Sequence, residues 1–119
     1  MNKTTVCNVR VANIRPKYNN LKEWMKDDGN VYIGRKGIVF IDGIRFPSID
    51  SVWANPYKVT DQCSRETALE KYRTYIVEKI TSGKVNLLAL KGKQLGCWCC
   101  PLPCHGNVLI DLMNEYKVY

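Results

Sequence analysis

The sequence predicts an α/β fold, a small and mainly parallel sheet flanked by helices, with a β-hairpin inserted over about residues 36–50. Three observations predict it. Short β-branched segments alternate with helical patterns along the chain. The stretch Gln94-Leu95-Gly96-Cys97-Trp98-Cys99 reads as a strand that runs through a tight loop into a helix N-terminus, a common frame for binding sites in this class. And Asp42-Gly43, between the apolar arms Ile38–Ile41 and Ile44–Phe46, is a strong hairpin turn.

Taken in order, Thr5–Val11 alternates and reads as the first strand, ended by Pro16. Asn19 and Asn20 are candidate caps of a short helix, Leu21 to Lys26, closed by Asp28-Gly29-Asn30. Val31–Arg35 reads as a second strand broken at Gly34. After the hairpin, Asn55-Pro56 holds Asn55 in an extended or turn conformation. The clearest helix starts after Ser64 as N-cap, with Ala68, Leu69, Tyr72, Tyr75, Ile76 and Ile80 as its buried stripe, and closes at Ser82-Gly83. Val85–Leu90 reads as a helical turn. The last helix runs from about Gly106 to about Tyr116, with Val108, Leu109, Leu112, Met113 and Tyr116 on one face.

At 119 residues the chain is expected to be one domain, 1–119, large enough to bury its own core. No apolar run approaches membrane-spanning length and no signal peptide is expected, so the expected compartment is cytoplasmic, with no membrane partner. In a reducing cytosol six cysteines are not a disulfide framework, and four of them lie too close together to staple distant segments. The formal charge of +7 brings nucleic acid into consideration as a partner. But residues 1–60 carry ten basic and five acidic side chains and residues 61–119 eight and six, so the excess is dispersed and forms no basic face.

Reactive chemistry concentrates in Cys97–Gly106, which holds four cysteines and the single histidine. The residues leave three readings open. Cys97, Cys99, Cys104 and His105 are natural zinc ligands, although all four fall within nine residues. Alternatively, Cys104, His105 and Gly106 at a helix start form an anion-binding pocket, where the dipole would lower the Cys104 pKa and Gly106 would admit a ligand to the backbone. Arg35 would clamp the anion, Trp53 would stack on a base and Asn55 would hydrogen-bond to it. If this pocket is catalytic, Cys104 is its nucleophile and His105 its acid/base. The third reading is plain packing of small thiols and a satisfied histidine.

The segments Val31–Arg35, Ser51–Tyr57, Arg65-Glu66 with Tyr72, Leu90–Cys99 and Pro101–Leu109 together resemble the family known as domain of unknown function 4326, found in bacteria, phages and large DNA viruses. The resemblance spans about Val6 to Met113. It implies a compact α/β domain, marks Arg35, Trp53, Asn55, Pro56, Cys97, Trp98, Cys99, Pro103, Cys104, His105 and Gly106 as motif positions, and drops Cys100 from the set. It implies no activity, cofactor or partner. The expected compartment of a viral member is the host cytoplasm. This chain departs from the shorter family form by inserting residues 36–50 between Arg35 and Trp53, as a lid or an interaction surface. The leading expectation is a pocket for a nucleotide or similar phosphorylated small molecule, as an enzyme of nucleotide or nucleic-acid metabolism or as a binder. The rival is a zinc-dependent interaction or nucleic-acid-binding module.

Overall fold

A computed structural model of the chain describes residues 3–118. Three parallel strands, β1 (Thr5–Asn8), β2 (Asn30–Tyr32) and β5 (Gln94–Cys97), form a sheet in the order β1-β5-β2. Cys7 and Tyr32 both stand in register with Gly96 of the central strand. Two short helices, α1 (Val11–Ile14) and α2 (Leu21–Lys26), connect β1 to β2. The return to β5 carries the hairpin β3 (Val39–Ile41) and β4 (Ile44–Phe46), the long helix α3 (Arg65–Thr81) and a 3-10 turn at Leu87–Leu90. Helix α4 (His105–Glu115) follows β5. The expected α/β class, parallel sheet and hairpin are all present.

Side chains leave successive strand positions on opposite faces, and this divides the core in two. On one face Leu95 and Cys97 meet Tyr72 and Ile76 of α3 and Leu109, Leu112 and Met113 of α4. On the other, Val9, Ile14, Leu21, Trp24 and Tyr32 form a second cluster, against which Val39 and Phe46 of the hairpin pack. The helix starts follow from their caps. The Asn20 side chain accepts from the Glu23 N–H at 3.0 Å, and Ser64 Oγ from the Thr67 N–H at 3.1 Å.

Three strands are shorter than the alternation predicts. β1 stops at Asn8 rather than Val11, because Asn8 Oδ1 accepts from the Arg10 N–H at 3.0 Å while Nδ2 donates to the carbonyls of Trp98 and Cys100. This asparagine turn leads into α1. β2 ends at Tyr32 rather than Arg35. There the Tyr32 hydroxyl accepts from Trp98 Nε1 at 2.8 Å and donates to the Arg35 carbonyl at 2.7 Å, drawing the chain back over its own ring. A Cβ at Gly34 would collide with that ring, so only glycine fits. β5 ends at Cys97, two residues short of the predicted strand.

The hairpin segment closes on itself at its base. The Ser51 N–H donates to the Gly34 carbonyl at 3.1 Å and the Gly37 N–H to the Pro47 carbonyl at 2.8 Å. Asp42 and Gly43 at its tip both take positive φ, 53° and 78°, as a two-residue hairpin turn requires. Among the described residues, no helix is long and apolar enough to cross a membrane.

Candidate functional site

A cavity of about 340 Å³ opens beyond the carboxyl ends of β2 and β5 and the start of α4. It gathers Arg35, Asn55, Cys97, Cys99, Cys104 and His105, six of the eight predicted site residues, across 70 residues of sequence. Gly34 and Trp98 border it, Arg65, Ala68 and Leu69 of α3 form one side, and Ile38, Tyr57 and Val59 complete an apolar wall.

Two predicted members lie elsewhere. Trp53 is buried in the α3–α4 core, where its carbonyl accepts from the Tyr72 hydroxyl at 2.7 Å, so it presents no face for stacking on a ligand. Gly106 is buried too, and a Cβ there would press on Val6 and Ile33. Its smallness serves the close seating of α4 on the sheet rather than a ligand's approach.

Arg35 and Asn55 meet directly despite the hairpin between them. Arg35 donates from Nε and Nη2 to the Asn55 carbonyl at 2.9 and 2.6 Å. Asn55 Oδ1 accepts from the Tyr57 N–H at 2.8 Å, which fixes the turn. Arg65 Nη1 donates to the Pro103 carbonyl at 3.1 Å. Both guanidinium groups are thus held by neutral carbonyls, and the single ion pair among the described residues, Arg73–Glu115, lies elsewhere. Arg65 is the functional candidate that sequence reasoning missed. A cation at the first position of a helix opposes the dipole, and that misfit is the signal that could have found it.

His105 Nε2 lies 2.6 Å from the Ile33 carbonyl. A carbonyl only accepts, so Nε2 carries the proton and Nδ1 keeps its lone pair. The Tyr72 ring stands edge-on to the imidazole at 5.1 Å between centroids and locks its orientation. Burial, with the nearby Arg35 charge, pushes the His105 pKa below its ordinary value against the pull of the Ile33 carbonyl, so the ring is neutral near pH 7.

The sulfurs of Cys97 and Cys104 stand 3.4 Å apart, both side chains buried. The proton they share decides their ionisation. The Cys104 S–H bond draws the Cys97 thiol down to about 6, helped by the N–H groups of Cys100 and Cys99 and opposed by burial. The same bond pushes Cys104 far up, with burial and the Cys97 charge, although the N–H groups of Gly106 and Asn107 pull the other way. The sequence places the lowered pKa on Cys104 through the helix dipole. The structure places it on Cys97, because a shared proton outweighs a partial charge. Among the described residues no group of three or more His, Cys, Asp or Glu side chains is disposed to hold a metal ion.

A stability profile follows. Unfolded His105 binds its proton near 6.5 and unfolded Cys97 near 9.0, whereas the folded values lie lower, at about 6 for Cys97. The unfolded chain therefore binds more protons across this window, and stability should rise with pH from about 6 to 9. Above 9.0 the sign reverses, because burial lifts Cys7 to about 11 and Cys104 also holds its proton in the fold. Urea midpoints measured under reducing conditions should peak near pH 9. A flat profile between pH 6 and 9 would exclude the shared-proton pair.

The comparisons with known proteins agree with the resemblance. The family described as Domain of unknown function (DUF4326) matches residues 17–115. An uncharacterized 12.4 kDa protein from the nrdA-td intergenic region of Enterobacteria phage T4 is 40% identical over 66 residues, which cover 53% of this chain and 60% of that protein. Uncharacterized protein R718 of Acanthamoeba polyphaga mimivirus is 36% identical over 99 residues, 76% of this chain and 71% of that protein. No solved structure matches.

Proposed function

From the premise that the chain belongs to the domain of unknown function 4326 family, whose description names no activity, we propose that its cavity binds a nucleotide or a similar phosphorylated small molecule. The observation that carries this reading is the pairing of two arginines, held by neutral carbonyls and facing one cavity. Half-buried cations without carboxylate partners favour an anionic ligand. The apolar wall of Ile38, Tyr57, Val59 and Leu69 offers the opposite chemistry, suited to a base or sugar. Asn55 Nδ2 is a donor for a base edge or a ribose hydroxyl. A cavity of 340 Å³ suits one mononucleotide better than a dinucleotide.

The reading extends to catalysis in nucleotide or nucleic-acid metabolism through the neutral His105, whose Nδ1 can take a proton, and the ionised Cys97 beside it. A cytoplasmic place, the host's for a viral member, goes with such a ligand.

Calorimetric titration of the reduced protein with nucleoside mono-, di- and triphosphates and with the parent nucleosides tests the proposal. Phosphorylated forms should bind at least tenfold more tightly than nucleosides. Nucleosides binding equally well would remove the anion from the reading. Stoichiometric zinc, lost together with the fold on chelation, would replace the reading with a metal module. Tight duplex or single-strand binding with a steep salt slope would replace it with nucleic-acid recognition.

A further inference from the structure

The two sulfurs at the inner end of the cavity invite a separate activity. Cys97 closes β5 and Cys104 caps α4, so each is carried by a regular element and the pair is preorganised. Their 3.4 Å separation is about 1.4 Å longer than a disulfide bond of ~2.05 Å. Both residues border the cavity, as does a third thiol, Cys99. Packing alone asks for none of this; two buried thiols need not share a proton beside a guanidinium and an imidazole.

We propose that Cys97 and Cys104 form a redox-active dithiol, Cys97 attacking and Cys104 resolving, that exchanges with a small carboxylate-bearing disulfide entering through the cavity. The Cys104 S–H donates to the Cys97 sulfur, which makes Cys97 the acceptor of the shared proton and the attacking sulfur. Its thiolate attacks one sulfur of the small disulfide. The new protein–small-molecule S–S bond forms as the old one breaks, and the first small thiolate leaves to take a proton from solvent. Cys104 then attacks the Cys97 sulfur. The protein disulfide forms, the second small thiol departs with the Cys104 proton, and two protein thiols have been oxidised while one disulfide has become two thiols. Arg35 and Arg65 suit the carboxylates of such a partner, and the cavity holds one half of it. The proposal stands apart from the nucleotide reading, since a chain that binds no nucleotide can still undergo this exchange.

The test incubates the full chain without air in mixtures of oxidised and reduced glutathione, alkylates the remaining thiols and maps the products by peptide mass. The wild type should form the Cys97–Cys104 disulfide, and Cys104→Ser should accumulate glutathione on Cys97. Free Cys97 and Cys104 at every ratio, with glutathione on Cys63 instead, would overturn the pair. An adduct on Cys99 in Cys104→Ser would overturn the assignment of the attacking sulfur. Should Cys104→Ser fail to fold, the wild type alone decides. Glutathione disulfide should react at least tenfold faster than uncharged hydroxyethyl disulfide, and salt should erode the difference. Equal rates would overturn entry guided by the arginines.

Discussion

Gly96→Ala is expected to destabilise the domain by about 3 kcal/mol, at the upper end of what overpacking costs. Gly96 occupies the middle of the central strand, paired with Cys7 on one side and Tyr32 on the other. A Cβ there would drive into the Trp24 benzo ring and Val9 Cγ1, and neither can retreat. Trp24 is 1% exposed and Val9 likewise, so both are surrounded. The strand cannot shift either without breaking two ladders. The collision with Trp24 falls on the outer edge of the indole, at Cη2 and Cζ3. Trp24→Phe should therefore restore part of the loss, and the double variant should be more stable than the sum of the two single ones. Additive losses in urea unfolding would show that the indole is not the obstacle.

The second large effect is on the ligand. Arg35→Ala should weaken binding of a phosphorylated ligand by about ten- to hundredfold, the span expected for losing charge-assisted hydrogen bonds of ~1.5–3 kcal/mol. Arg35→Lys should not rescue it. Two nitrogens of the guanidinium are spent on the Asn55 carbonyl, and lysine cannot grip that oxygen through a planar fork while still presenting charge to the cavity. Stability separates the two arginines. Arg35→Ala strips both donors from the Asn55 carbonyl and should lower the urea midpoint, whereas Arg65→Ala frees only the Pro103 carbonyl at the protein surface. Arg65→Ala should therefore weaken binding with little change in stability. Unchanged affinity in both variants would remove the anion site.

Much of this architecture is legible in the sequence wherever a local rule acts alone. Asn20 and Ser64 cap helices that begin at the predicted residues, and Asp42-Gly43 turns the hairpin. The errors arise where one side chain reaches across the sheet. Nothing in Thr5–Val11 says that Asn8 will bond to the carbonyls of residues 98 and 100 and end the strand. Likewise, nothing near Tyr32 shows that its hydroxyl will hold the carbonyl three residues on. The Cys97–His105 loop announces reactive chemistry by composition, but not which thiol ionises. That depends on a 3.4 Å contact between residues seven apart. Trp53 and Gly106 stand in motifs for the sake of packing, and a motif does not separate packing from binding.

The pinched neck of the hairpin, where the Ser51 N–H meets the Gly34 carbonyl, uncouples it from the elements it springs from. Since its two ends already touch, the segment between them should tolerate a change of length without re-registering the strand that precedes it or disturbing the grip of Arg35 on Asn55.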